Sequence, residues 1–200
     1  MIETRNNELL SEAMARAKEA IREASAAGMS DSNVATLCTA SLACVPSSRS
    51  VVVEDINSYG PLFFANSVSG KGVQIASNHH VSLCFYLRSL SLQIIIDGRA
   101  GIVSDVEAES IWAKRDRQRQ IVSWASNQSE PSRGKASHQL RMDKVRKSFG
   151  YEQIPLPMNW KGYRVSPARV EFWQANWRNP KDRQSYQLEN DCWERVDLEP

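Results

Sequence analysis

The sequence contains few of the residues that would indicate a disulfide framework or a metal centre. Its 200 residues include four cysteines, Cys38, Cys44, Cys84 and Cys192, and three histidines, and no two cysteines form a CxxC pair. Scattered cysteines in a chain of this length are typical of buried thiols in a reducing compartment. We therefore expect no zinc site, no His-rich metal centre and a cytoplasmic location.

Long apolar runs and a large excess of one charge are also missing. The longest apolar stretch, around residues 94–96, is far shorter than the roughly 20 residues that a membrane span requires. The first residues lack the basic-then-apolar order of a signal peptide. The formal net charge is +2, too small to indicate a nucleic-acid-binding protein. We expect neither a membrane nor a nucleic-acid partner.

The composition that remains is ordinary for a soluble globular protein, with 42% hydrophobic and 24% charged residues. Apolar side chains at Leu10, Met14, Ala17 and Ile21 recur at helical spacing, and Gly28 is a plausible stop. The pattern predicts an N-terminal helix over residues 7–27. We divide the chain accordingly into this helical segment, residues 1–28, and one domain, residues 29–200.

Short β-rich runs follow the predicted helix. They cover residues 34–43, 50–56, 62–66, 81–86, 92–103, 163–173, 183–188 and 192–196, and turn-like residues occur at 45–48, at 57–60 and around Gly98. Helices are predicted at 71–78, 105–127 and 133–149. This order indicates an α+β fold, an antiparallel β-barrel interrupted by helices.

One segment is markedly basic. Between residues 114 and 147, ten lysines and arginines face only three acidic residues. A solvated helical face would explain this excess, and so would an anion site for a phosphate or a carboxylate. Few aromatic residues are interleaved with the charges, which disfavours nucleic acid.

Three local patterns have some chemical content. Arg49 opens a strand, and the turn Ser69-Gly70-Lys71-Gly72 leads from a strand into a short helix. Such a turn exposes backbone N–H groups beside a lysine, an arrangement that binds phosphate. Gln93 lies in an otherwise apolar strand and needs a hydrogen-bond partner. Each pattern taken alone is more often structural.

The order of the motifs is more specific than any one of them. After Arg49 come Phe-Phe-x-Asn-x-x-Ser-x-Lys-Gly (residues 63–72), Ser-Leu-x-Phe-Tyr (82–86) and Gln-Ile-x-Ile-x-Gly (93–98). Further on come Ile-Pro-Leu-Pro (154–157), Trp-Lys-Gly-Tyr-Arg-Val (160–165) and Val-Glu-Phe-Trp-Gln (170–174). Over residues 30–200 this pattern resembles the pyridoxamine 5′-phosphate oxidase family of FMN-binding proteins.

The resemblance implies a split β-barrel of six or more antiparallel strands with flanking helices. It also implies a homodimer with FMN at the subunit interface. Arg49 and Lys71 would contact the FMN phosphate, and Trp173 and Arg183 would pack on and hydrogen-bond the ring. The positions matching the family's cofactor contacts are Arg49, Ser50, Val51, Val52, Phe64, Ala65, Ser69, Lys71, Gln93, Gln128, Ser129, Trp173 and Arg183.

The family pattern is broken mainly on the substrate side. Glu54 occupies or adjoins the position of a strand lysine, and Asn179 and Lys181 replace an arginine and a histidine near the substrate. Arg115 is kept. The residues we expect at the substrate are Trp112, Arg115, Arg119, Asn179 and Lys181, and those we expect to act in catalysis are Arg115, Lys181 and Arg183. The cofactor site looks retained and the substrate site altered.

Flavoproteins of phenazine biosynthesis, a branch of this family, also lack the strand lysine and share the Ser-x-Lys-Gly and Trp-x-Lys-Arg motifs. Our leading hypothesis is an oxidase that removes hydride from a reduced nitrogen heterocycle, such as a dihydrophenazine carboxylate, and passes the electrons to O2. One alternative is a pyridoxine/pyridoxamine 5′-phosphate oxidase with an altered substrate site. The other is a non-catalytic flavin-binding protein. The sequence shows no obvious general base.

Overall fold

The computed structural model describes residues 2–126, 134–174 and 183–199, with side chains from residue 8 onward except that of Lys135. The helices are α1 (Ile2–Ala26), α2 (Gly70–Ser77), α3 (Asp105–Lys114), α4 (Arg117–Ala125) and α5 (Lys135–Phe149). The strands are β1 (Val34–Ala40), β2 (Pro46–Asn57), β3 (Gly60–Asn66), β4 (His80–Leu87), β5 (Leu92–Ile102), β6 (Trp160–Gln174), β7 (Arg183–Glu189) and β8 (Cys192–Asp197). No helix of these ranges has the length and apolar character needed to cross a membrane.

The strands form one antiparallel sheet that closes on itself. Their order is β3-β2-β1-β4-β5-β6-β7-β8, and β3 also pairs with β6. Strands β1 to β6 therefore make a six-stranded barrel, and β7 and β8 extend the sheet beyond β6. The predicted α+β split-barrel fold is confirmed.

Alternating side chains explain why these segments are strands. In β4 the side chains of Val81, Leu83, Phe85 and Leu87 are buried, and those between them are more exposed. Successive side chains of a strand point to opposite faces of the sheet, so one set fills the barrel. In β5 the same alternation buries Leu92, Ile94 and Ile96.

Strand β5 passes through the position where the sequence suggested a turn. The ladder between β5 and β6 shifts its register between Asp97 and Gly98, and the strand then continues to Ile102. A side chain at residue 98 would place its Cβ only 2.1 Å from the Ser166 carbonyl oxygen. The glycine thus marks a close approach at a bulge, which corrects the turn-like interpretation of this region.

The basic segment folds into helices that cover a second, smaller core. The helix predicted over 105–127 is divided, because Arg115 has extended backbone angles and Asp116 caps α4 by accepting a hydrogen bond from the Arg119 N–H at 3.1 Å. Buried residues beneath these helices include Leu62, Phe64, Trp112, Ile121, Met142, Ile154 and Trp160.

Helix α1 packs on the barrel. Its buried face consists of Ala13, Met14, Ala17, Ala20 and Ala24, which belong to the same core cluster as the barrel interior. The Tyr186 hydroxyl of β7 donates a hydrogen bond to Glu12 Oε1 at 2.8 Å, and the Arg16 guanidinium lies over the Phe172 ring at 4.0 Å. Gly28 has φ +90, the left-handed conformation expected just after a helix.

Candidate active site

The start of α2 forms an anion cradle, which we define as Arg49, Ser69, Lys71 and the first turn of that helix. Ser69 is fully buried, and its hydroxyl caps α2 by accepting a hydrogen bond from the Gly72 N–H at 3.4 Å. The Lys71 ammonium donates to the same hydroxyl at 3.3 Å. A Cβ at residue 72 would lie 2.4 Å from the Ser67 carbonyl oxygen, so this tight entry to the helix requires glycine.

Arg49 is held toward the cradle by polar side chains of neighbouring elements. Its guanidinium donates to the hydroxyl of Thr39 in β1 and, at 3.2 Å, to Gln74 Oε1 in α2. The amide of Gln74 is in turn fixed by donating to Ser47 Oγ at 3.1 Å. Within the described residues no carboxylate pairs with Arg49. The arginine is therefore oriented without its charge being cancelled.

The pKa of Lys71 is lowered by its burial and by the positive charge of Arg49 nearby. Burial is the larger cause, and the nearby Arg49 guanidinium adds to it, lowering the pKa of Lys71 from 10.5 to about 8. Burial also lowers the pKa of Arg49. Two partly desolvated cations beside a helix N-terminus suit a phosphate group, whose negative charge both of them attract.

The predicted cofactor residues on β2 and β3 divide by the direction of their side chains. Val51, Phe64 and Ala65 are buried, with exposures of 6%, 6% and 0%. Ser50 and Val52, on either side of Val51 in β2, face outward. A cofactor lying along β2 would meet the side chains of Ser50 and Val52, and only the main chain of the three buried residues.

A second group of predicted residues lies side by side across β5, β6 and β7. Gln93 is the register partner of Trp173, and Trp173 is the register partner of Arg183. Phe172 is 1% exposed and Trp173 is 38% exposed, so the alternation places Phe172 in the core and leaves Trp173 available to a ligand. This row lies on strands other than those of the anion cradle.

Glu171 positions Arg183 at the end of that row. The Arg183 guanidinium donates to both Glu171 oxygens, at 3.0 and 3.3 Å. Glu171 is 2% exposed and also accepts from Arg169 at 3.0 Å. A buried carboxylate between two arginines fixes their direction, because leaving it unpaired would be costly.

Arg115 lines a cleft next to β2. The cleft has a volume of about 560 Å³, and its lining residues are Glu54, Asp55, Ser104, Val106, Glu107, Ser110, Ile111, Lys114 and Arg115. Arg115 and Glu54 form an ion pair at 2.8 Å, and their side chains are only 11% and 12% exposed. Burial lowers the pKa of Arg115, and the charge of Glu54 opposes that effect. Arg119 is exposed and does not line this cleft.

The structure buries the side chain of Trp112, which we expected at the substrate. Its side chain is 2% exposed, its indole N–H donates to the Ile154 carbonyl at 2.8 Å, and the Phe64 ring packs edge-on at 6.1 Å between centroids. No face of the ring is open to a ligand. Trp112 is therefore a core residue of the second cluster, and its neighbour Ile111 lines the cleft instead.

Four predicted site residues, Gln128, Ser129, Asn179 and Lys181, lie outside the described residues, and their roles stay predictions. Sequence reasoning assigned no role to Thr39 and Gln74, which orient Arg49, and noted Glu54 only as a departure from the family. Gln74 could have been found, because it lies three residues after Lys71 and so shares its helix face. Thr39 gave no signal beyond being a polar residue in a strand.

Comparison with known protein families agrees with this geometry. Residues 21–149 match the model of the family described as pyridoxamine 5′-phosphate oxidase. The chain belongs to the pyridoxamine 5′-phosphate oxidase family. Residues 160–200 match the C-terminal dimerisation region of pyridoxine 5′-phosphate oxidase, which supports the predicted homodimer. The protein is thus an FMN-dependent oxidase, as the resemblance implied.

Curated relatives within the family are named pyridoxine/pyridoxamine 5′-phosphate oxidase. The protein of Rubrobacter xylanophilus is 36% identical over 89% of this chain and 82% of its own length. That of Anaeromyxobacter dehalogenans is 34% identical over 94% of both chains. Among solved structures, PhzG from Burkholderia lata, in complex with tetrahydrophenazine-1-carboxylic acid, has a TM-score of 0.78 at 27% identity and covers 84% of this chain and 82% of its own.

Lys71 predicts a pH dependence of FMN binding. Below its pKa of about 8 the ligand-free protein presents a charged ammonium, and above it a phosphate dianion can bind equally well only if Lys71 first takes up a proton. We expect the FMN association constant to fall by up to about tenfold per pH unit above pH 8. Fluorescence titration of apoprotein between about pH 7 and 9.5 measures this.

Lys71→Arg is the control for that titration. An arginine stays protonated over the whole range, so this variant should give a nearly flat profile. A parent profile as flat as that of Lys71→Arg would show that Lys71 does not meet the phosphate.

Proposed function

We propose that the protein oxidises a reduced nitrogen heterocycle bearing a carboxylate, of the dihydrophenazine carboxylate type, in phenazine-type secondary metabolism. The observation that carries the proposal is the cleft beside β2, where Arg115 is a nearly buried cation paired with Glu54. The similarity to PhzG, whose structure contains tetrahydrophenazine-1-carboxylic acid, supports this substrate class. The scattered free cysteines favour a reducing compartment, the cytoplasm.

The cofactor in this proposal is held by its phosphate. Arg49 and Lys71 bind the phosphate, with the first-turn N–H groups of α2 and the Ser69 hydroxyl beside it. Bound FMN supplies the hydride acceptor and returns the electrons to O2 as hydrogen peroxide. The protein itself fixes the substrate against the ring and excludes water.

Two chains share each cofactor in the proposed dimer. The anion cradle lies on β2 and at the start of α2, whereas Gln93, Trp173 and Arg183 lie on β5 to β7. One chain would bind the phosphate, and the row of its partner would supply a ring face and hydrogen-bond donors. Gln128 and Ser129 are proposed as further cofactor contacts.

Arg115 is the substrate-binding cation of the proposal. It lines the cleft together with the apolar side chains of Val106 and Ile111, which suits a flat ring with one carboxylate. Arg119, Asn179 and Lys181 are proposed as further substrate contacts, and Lys181 and Arg183 as groups that act near the reacting atoms.

Anaerobic bleaching of the flavin tests the proposal. FMN-loaded protein is mixed under nitrogen with tetrahydrophenazine-1-carboxylic acid or with pyridoxine 5′-phosphate, and the loss of visible absorbance is followed. We expect the phenazine to bleach the bound flavin at least about tenfold faster. Free FMN at the same concentration is the control, since reduced heterocycles also react with it in solution.

The names of the curated relatives favour one alternative, a pyridoxine/pyridoxamine 5′-phosphate oxidase. Bleaching by pyridoxine 5′-phosphate at a rate equal to or above that of the phenazine would establish this alternative. It would also contradict our choice of substrate.

A further inference from the structure

The cleft beside β2 contains a cation and an anion with unused hydrogen-bonding capacity. Arg115 and Glu54 lie 2.8 Å apart, yet within the described chain neither Glu54 Oε1 nor Arg115 Nε makes a directional hydrogen bond. Both atoms are buried. The pair is therefore held by charge and not by a directional hydrogen bond.

The other charges around the cleft are mostly paired. Arg164 is 9% exposed and pairs with both Asp55 and Glu107, at 3.2 and 2.5 Å. Lys114 lines the rim, and Arg119 is close enough to lower the pKa of Arg115. With Arg164 paired to two acids, the cation deep in the cleft is Arg115, and Glu54 already neutralises it.

Strand β2 runs from the anion cradle at Arg49 to the cleft at Glu54. Ser50, Val52 and Glu54 alternate with the buried Val51 and Val53 along β2, and the ladder to β3 shifts its register between Val53 and Asp55. From residue 49 to residue 54 the strand advances about 16 Å. The five-residue separation places the side chains of Arg49 and Glu54 on opposite faces of β2, and it is the Glu54 carboxylate that lines the cleft and faces what occupies it.

We propose that Glu54 determines the substrate preference of this cleft: by neutralising Arg115 it selects against a phosphate dianion and in favour of singly charged ligands. A phosphate entering the cleft would meet a carboxylate in a partly desolvated site, where like charges repel strongly. A monocarboxylate brings half the charge of a phosphate dianion and is repelled about half as strongly. This inference rests on the proposed function, because it takes the cleft to be the substrate site.

Titration calorimetry on FMN-loaded protein tests the proposal without any variant. The probes are 4-deoxypyridoxine and 4-deoxypyridoxine 5′-phosphate, which lack the oxidisable hydroxyl and differ only in the phosphate. In the parent protein we expect the phosphate to improve the dissociation constant by less than about threefold. An improvement of tenfold or more would overturn the proposal.

The Glu54→Gln variant should gain the preference for the phosphorylated probe that the parent lacks. The amide keeps the shape of the side chain and removes its charge, so Arg115 becomes available and the phosphate should improve binding by at least about tenfold. Glu109→Gln is the matched control, because Glu109 is an exposed acid of α3 on the other side of the helix, near Ile154. This control should leave the ratio of the two dissociation constants, without and with the phosphate, within about twofold of the parent's ratio.

The outcomes separate this inference from the proposed function. An unchanged ratio in Glu54→Gln, with its FMN retained, contradicts the role of Glu54 and leaves the oxidase proposal intact. If Glu54→Gln does not fold, the ratio in the parent decides by itself. Failure of the reduced heterocycle to bleach the flavin, with a low ratio in the parent, removes the proposed substrate but not the discrimination by Glu54.

Discussion

Arg49→Ala is expected to weaken FMN binding by about 100-fold. The structure orients the Arg49 guanidinium toward the start of α2 through Thr39 and Gln74, so two of its N–H groups can reach a phosphate together. Each hydrogen bond to a charged group contributes about 1.5–3 kcal/mol, and a forked pair adds geometric specificity. Titration of the apoprotein with FMN, followed by quenching of flavin fluorescence, measures the loss.

Two variants make the Arg49 result specific. Arg49→Lys keeps the charge but not the planar fork, and we expect it to lose about tenfold. Arg99→Ala removes an exposed arginine of β5 whose guanidinium contacts His80, and it should bind FMN like the parent. If Arg49→Ala retains FMN within about threefold of the parent, Arg49 does not bind the phosphate.

Trp112→Ala is expected to destabilise the fold by about 3–5 kcal/mol, the usual cost of truncating a large buried aromatic side chain. The residue is 2% exposed and fills the second core between Phe64 and Ile154. For a protein of this size the loss corresponds to a melting temperature lower by roughly 10 °C. Differential scanning calorimetry and flavin bleaching, both on folded protein, separate stability from substrate binding.

Trp124→Ala is the matched control for that prediction. Trp124 is 37% exposed, so the same truncation on the neighbouring helix should lower the melting temperature less. A Trp112→Ala protein with the stability of the parent but slower bleaching would show that Trp112 acts at the substrate and not in the core.

The barrel could be predicted from the sequence because its signals are local. Alternation in residues 81–86 and the turn residues at 57–60 follow from chain geometry alone. The division of the helix at Asp116 has a local capping signal, the hydrogen bond from the Arg119 N–H, whereas the bulge at Gly98 is harder because it depends on a residue distant in sequence. Gly98 is required by the Ser166 carbonyl, which no local pattern places nearby.

The site was predictable to the extent that motifs fix the backbone. Arg49 and Lys71 were identified from a strand, a small-residue turn and a helix start, and the structure brings them together. Trp112 was expected at the substrate, but packing turns its side chain inward and places Ile111 in the lining of the cleft, and the sequence alone does not show which side of α3 faces the cleft. The pairing of Glu54 with Arg115 joins residues of β2 and the end of α3 and is a tertiary contact.

The central claim is that the protein binds a flavin through its phosphate at Arg49 and Lys71. Titrating the apoprotein with FMN and with riboflavin, which differ only in that phosphate, tests it most directly. We expect about one FMN per chain and an affinity for FMN at least about 1,000-fold higher than for riboflavin, since the charged hydrogen bonds to the phosphate are lost together. Equal affinities for the two flavins, or no binding of either, would contradict the account.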